Sequence, residues 1–268
     1  MTATVSLPMY DLPGMRAANQ ALWAALAALL RRDGHDVPDT LEDDNGPAPG
    51  RSFQGTVFTQ TCGYPLQTIH RDQLRLLATP SYDAPGCGEM THNAIIVVRD
   101  EDEVFEPEDL RGRRFALNAA HSNSGMNLPR RLFAPLARDG RFFGEIIETG
   151  SHARSLQKLL RYEVDAASID CVTWAFVEDY APEILHDLRV IARTEISPCL
   201  PFVTGTATPP DLVAALRRAL LTIGADPAYR DIRAPLRLTS IGLLPQEAYD
   251  VVLRYEAEAI AAGYPRIA

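Results

Sequence analysis

The chain has 268 residues, 46% hydrophobic and 23% charged, with a formal net charge of -9. That suits a globular protein with a sizeable core, built as one large domain or two modest ones. Every basic residue except Lys158 is an arginine, scattered or paired, with no basic stripe interleaved with aromatics, so the composition argues against nucleic-acid binding. The acidic balance repels anions at long range, so an anion site here has to work through short hydrogen bonds and local dipoles.

Cys62, Cys87, Cys171 and Cys199 form no C-x-x-C pair, and the six histidines show no H-x-x-x-H spacing. The pattern signals no metal, no disulfide framework and no cofactor, and the thiols read as small buried or half-buried groups.

In chain order, residues 4–10 read as a strand. The apolar run 17–30 then belongs to a buried amphipathic helix over about 15–32, started at Pro13-Gly14 and stopped at Asp33-Gly34. The run is too short to span a bilayer, and Arg31-Arg32-Asp33 stand where a signal peptide would carry small residues. The expectation is no membrane insertion and a cytoplasmic location as written, or a periplasmic one reached by an unseen route. Residues 36–50 read as an acidic loop with one short strand.

Strands follow at 55–60, 74–79, 93–99, 114–118, 145–149, 165–170, 188–193 and 202–206. A turn is expected at 61–65, a Gly/Pro loop at 81–88 and a single helical turn at 106–110. Helices are expected at about 124–138, 151–162, 171–180, 210–223 and 246–262. The alternation predicts an α/β fold with parallel sheets flanked by helices, and ligands in such sheets sit beyond the strand ends at helix N-termini.

Three strand-to-helix turns carry the chemistry. In Ser122-Asn123-Ser124-Gly125 the serines offer hydroxyls, Gly125 admits close backbone approach, and the free amides favour an anion. A single N-cap needs only one such residue. In Gly150-Ser151-His152, Ser151 serves as a cap or a donor, and His152 can donate to an oxyanion. Asp170, ending the next strand, suits either an N-cap or an oxyanion that keeps a proton, or a cationic group on the ligand; residue types alone leave both readings open.

These segments, with Leu110-Arg111-Gly112-Arg113-Arg114-Phe115-Ala116 and Asp165-Ala166-Ala167-Ser168-Ile169-Asp170, resemble the PhnD-like phosphonate/phosphite solute-binding proteins of ABC transporters in order and spacing over about 90–205. The resemblance implies a type-2 periplasmic-binding-protein fold: two lobes, each a mostly parallel sheet flanked by helices, joined by two hinge strands near 92–99 and 199–204. Residues 1–92 plus 204–268 would form lobe 1, and residues 93–203 lobe 2.

It implies that Ser122, Asn123 and Ser124 hold phosphoryl-type oxygens, that His152 donates, and that Asp170 takes a ligand proton or amine. Tyr10, Tyr64 and His92 would line the pocket. Asn123 stands where the family often has Thr.

The function implied is a solute-binding protein that closes on a small oxyanion in the interlobe cleft, with an ABC transporter permease as partner, and not an enzyme. The alternatives are a thiol- or histidine-dependent enzyme using Cys62 or Cys171 with His92 or His152, a cytoplasmic small-molecule sensor, and a regulator's effector domain working with a separate DNA-binding partner.

Overall fold

The computed structural model describes residues 3–43 and 49–268. The chain folds into two compact units, Met1–Thr91 with Pro198–Ala248, and His92–Ser197 with Tyr249–Ala268. The chain therefore passes from one unit to the other three times, where the resemblance implied two hinge strands. The short strand expected within 36–50 is not found among the described residues there, and 44–48 lie outside them.

The first unit holds a five-stranded sheet in the order Thr4–Val5, Thr56–Gln60, Phe202–Gly205, Leu74–Tyr82, Leu238–Gly242. Only the first pair is parallel. This sheet is mixed, not mostly parallel as expected. Phe202–Gly205 is inserted antiparallel between its two neighbours, so no βα crossover links it to them. The helix Arg16–Arg32 buries Leu22, Trp23, Leu26, Leu29 and Leu30, one apolar stripe at helical spacing. Trp23 stacks on Phe58 and Phe58 on Phe202, with ring centroids 5.5 and 5.3 Å apart.

The second unit has a five-stranded sheet in the order Glu145–Glu148, Arg114–Leu117, Ala166–Asp170, Ala94–Arg99, Leu188–Arg193. The first three strands are parallel, and Ala94–Arg99 runs against both its neighbours. Four strands thus run one way, as βα alternation requires, and the strand that enters the unit runs the other. Ala94–Arg99 is buried along its whole length, in keeping with its unbroken apolar run.

Residues 249–268 join this second unit and not the first, which corrects the sequence-based division. The helix Val251–Ala261 buries Val252, Tyr255 and Ala259. Asn127 Nδ2 donates to the Val252 carbonyl at 2.9 Å, and Arg130 Nη1 to that of Pro265 at 3.0 Å. Arg130 Nη2 also lies 3.2 Å from Glu256. Buried Asn127 and Arg130 need these acceptors, and the C-terminal segment supplies them. Residue 92 and residues 198–203 likewise fall on the other side of the expected boundaries.

Candidate oxyanion site

The strand Arg114–Leu117 ends at Asn118, and Ser122 then caps the next helical run, its Oγ accepting from the Gly125 amide at 3.0 Å. The first turn, Asn123–Asn127, is a π-turn, leading into the α-helix Leu128–Phe133 and a 3-10 turn, Ala134–Leu136. The single helix expected over 124–138 is therefore three segments. Pro129 sits in the first turn of the α-segment, where its missing N–H costs nothing, and Pro135 lies where that segment ends.

The amides of Asn123 and Ser124 come before any intrahelical carbonyl. Gly125 is required at its position: a Cβ there would lie 1.7 Å from Asn118 Oδ1. Residues 122–127 are all buried.

Backbone ladders bring the second turn alongside. The Thr149 amide donates to the Leu117 carbonyl at 2.9 Å, and the Gly150 amide to that of Asn118 at 2.8 Å. Gly150 takes φ +88°, and Ser151 Oγ caps the helix His152–Leu160 by accepting from the Arg154 amide at 3.2 Å.

His152 Nε2 lies 3.0 Å from Ser124 Oγ, and Nδ1 lies 3.1 Å from the Ser168 carbonyl. Ser168 Oγ donates to the Ser124 carbonyl at 2.7 Å. Two helix starts and the end of a third strand therefore meet in one hydrogen-bonded cluster. Burial pushes the His152 pKa down, and its other neighbours do not overturn that.

The third turn is a buried ion pair. Asp170 caps the helix Cys171–Tyr180, its Oδ1 accepting from the Val172 and Thr173 amides at 2.9 and 3.1 Å. Its Oδ2 lies 2.7 Å from His92 Nδ1. Burial opposes charge on both partners, but each outweighs that for the other: His92 is raised above its usual pKa and Asp170 held below its own. His92 is fully buried, and its Nε2 has no hydrogen-bond partner.

The structure thus places Ser122, Asn123, Ser124, Gly125, Ser151, His152, Asp170 and His92 in one unit. Their states differ from the sequence reading. Ser122 Oγ already accepts the cap bond from the Gly125 amide. The Asn123 side chain donates to Ser197 Oγ at 2.9 Å and accepts from Asn127 at 3.2 Å. His92 is an ionic partner of Asp170, not merely an aromatic wall.

Tyr10 and Tyr64 lie in the first unit. Tyr10 is buried edge-to-face against Tyr82 at 5.5 Å, and Tyr64 sits in a short helix, Gly63–Gln67, where a turn was expected. Asn118 opens the first of the three turns in the sequence but carried no assigned role there, and residue types gave no notice of Asn127 or of the Ser168 backbone carbonyl.

Among the described residues, no group of three or more His, Cys, Asp or Glu side chains is placed to hold a metal ion, and no helix is long and apolar enough to cross a membrane.

Two α/β units with mixed sheets, and with polar helix starts beyond the parallel strand ends, define the class of type-2 periplasmic-binding-protein folds. The chain belongs to the periplasmic substrate-binding proteins of ABC phosphonate transporters, whose family model matches residues 57–249.

Solved structures share the fold. A binding-protein component of an ABC phosphonate transporter from Pseudomonas aeruginosa is 15% identical, with TM-score 0.77, covering 97% of this chain and 87% of that one. PhnD1 from Prochlorococcus marinus, in complex with methylphosphonate, is 11% identical, with TM-score 0.73 and coverage of 96% and 97%. XAC2383 from Xanthomonas citri, bound to ATP, is 16% identical, with TM-score 0.71 and coverage of 98% of both chains. No curated protein sequence matches this chain.

Proposed function

We propose that the chain binds a small phosphorus oxyanion at the cluster of Ser124, His152 and the amides of Asn123 and Ser124, and delivers it to the permease of an ABC transporter from the periplasmic side. The observation that carries this reading is the 3.0 Å contact between Ser124 Oγ and His152 Nε2, which joins two helix starts into one polar cluster. Amides at both starts, and the positive ends of both helix dipoles, favour an anion there. Burial keeps water from competing for these donors, so charge-assisted hydrogen bonds count fully.

Burial opposes charge on His92, but Asp170 raises its pKa on balance, and in its charged form it offers a further N–H donor at Nε2. Asp170 itself acts on the ligand through His92, because its own oxygens already accept from His92 and two amides. The family match favours transport binding over thiol or histidine catalysis and over a sensor role.

Thermal denaturation with and without methylphosphonate tests this. Ligand at about a hundred times its dissociation constant adds about 2.7 kcal/mol, a rise of several degrees. Ser124→Ala is expected to shrink the rise sharply at the same ligand concentration while the ligand-free protein stays folded. Ser122→Ala is expected to cost about 1 kcal/mol through the lost cap. An unchanged ligand response in Ser124→Ala would remove the site from this cluster.

A further inference from the structure

We propose that the site selects an oxyanion that keeps one proton, a monoprotonated phosphonate or related phosphorus oxyacid, because the hydrogen-bond chain from Ser168 through His152 leaves the Ser124 hydroxyl able only to accept from the ligand. This rests on the oxyanion reading of the same site and names its substrate class.

The direction of the chain is set at one end. A backbone carbonyl only accepts, so His152 Nδ1, 3.1 Å from the Ser168 carbonyl, carries a hydrogen. In a neutral imidazole the other nitrogen then holds a lone pair. Ser124 Oγ, 3.0 Å from Nε2, donates its single hydrogen there. What Ser124 offers beyond His152 is therefore lone pairs.

An ionised ligand oxygen meets repulsion at Ser124, whereas a P–OH finds an acceptor. The remaining, ionised oxygens turn to the Asn123 and Ser124 amides. A sulfonate of the same shape and charge has no proton to offer and leaves the acceptor facing an acceptor. A site built around one hydrogen bond rejects the analogue that cannot make it far more strongly than a pocket rejects a missing methylene.

The neutral state of His152 follows from its surroundings. The groups that face it are Ser124 from the π-turn, Ser168 and Asp170 from the strand Ala166–Asp170, and His92. Burial is the largest influence and opposes its charge, Asp170 and the Ser168 carbonyl favour the charge, and His92 opposes it; the net shift is downward. Were His152 protonated, Nε2 would donate to Ser124, the serine would donate outward, and sulfonates would fit.

The test is calorimetric titration of the full chain with methylphosphonate and with methanesulfonate across a pH series. The expected result has two parts. Methanesulfonate binds on the order of ten-thousandfold more weakly near neutral pH. Methylphosphonate affinity falls as pH rises through the ligand's own second ionisation, approaching tenfold per pH unit. Ser124→Ala, shown to be folded by circular dichroism, should bring the two affinities close together.

Equal binding of the two ligands, or affinity that rises as methylphosphonate becomes a dianion, would overturn the selection while leaving oxyanion binding in place. Failure to bind either ligand would overturn both readings.

Discussion

Asp170 puts a carboxylate among the groups proposed to hold an anion, and His92 is what makes that tolerable. The pair is buried, close and nearly neutral as a unit, and the two amides on Oδ1 spread the remaining charge over a helix start. A ligand ammonium group approaching Asp170 would have to displace one of these donors. Aminomethylphosphonate is therefore expected to bind no more tightly than methylphosphonate in paired calorimetric titrations; a clear gain from the amine would show that Asp170 faces the ligand directly.

Gly125 is held as tightly by its neighbour Asn118. Gly125→Ala pushes a methyl group into Asn118 Oδ1, at a cost of about 1–3 kcal/mol. Asn118→Ala removes that oxygen and its Cγ, while the Asn118 backbone nitrogen stays 3.2 Å from the new Cβ. Urea denaturation should find the double variant Asn118→Ala/Gly125→Ala more stable than Gly125→Ala alone. The reverse order would mean that glycine is needed here for some reason other than Asn118.

Much of this cluster is legible in the residue types. A Ser/Asn/Ser/Gly run after a strand, a Gly-Ser-His after the next, and an Asp ending the third point to segments that the fold brings together. Direction and commitment are not legible. Which way the Ser124–His152 bond runs depends on the Ser168 backbone carbonyl, and every residue has a carbonyl. That Ser122 and Asn123 are already occupied depends on Gly125 and on distant Ser197 and Asn127.

At the scale of elements, the second unit is tied at its strand ends by a charged network. Arg114 grips Asp165 through Nη2 at 2.7 Å, Nε at 3.1 Å and its own amide at 2.9 Å, and Arg99 Nη2 lies 3.4 Å from the same carboxylate. Arg99 Nη1 also donates to the Leu159 and Val164 carbonyls, linking the strand Ala94–Arg99 to the end of the helix His152–Leu160.

Burial opposes the Asp165 charge, but these hydrogen bonds prevail and hold its pKa at about 2. A depressed folded-state pKa stabilises above the unfolded value and loses that contribution as pH falls through the folded one. Asp165→Asn is thus expected to cost about 2 kcal/mol at neutral pH. It should also flatten the loss of stability between about pH 4 and pH 2 in a series of urea denaturations. An acid dependence as steep as wild type would show that the bridge contributes nothing net.

Element boundaries follow the sequence where local periodicity decides them, as in the helix Arg16–Arg32 and the strand Leu188–Arg193. They depart from it where distant partners decide. The strand Leu238–Gly242 exists because Leu74–Tyr82 offers it an edge, with Gly224 of the helix Pro210–Ala225 packed so closely that a Cβ would lie 2.7 Å from the Ile241 amide nitrogen. Its own residues alternate too weakly to announce it. The π-turn at Asn123–Asn127 has no periodic signature either.

For the molecule as a whole, the family match and the fold agree on a substrate-binding protein, and a two-lobed architecture is what the resemblance to that family implied. The allocation of residues 249–268 was not implied by it, because burial of the Asn127 and Arg130 side chains, not chain proximity, draws that segment to the second unit.

The helix starts at Asn123 and His152 are proposed to form one oxyanion site. A crystal structure of the methylphosphonate complex tests it most directly. The expected result has phosphonate oxygens within hydrogen-bond distance of Ser124 Oγ and of the Asn123 and Ser124 amides. A ligand bound elsewhere, with the Ser124–His152 contact unchanged and untouched, would contradict it.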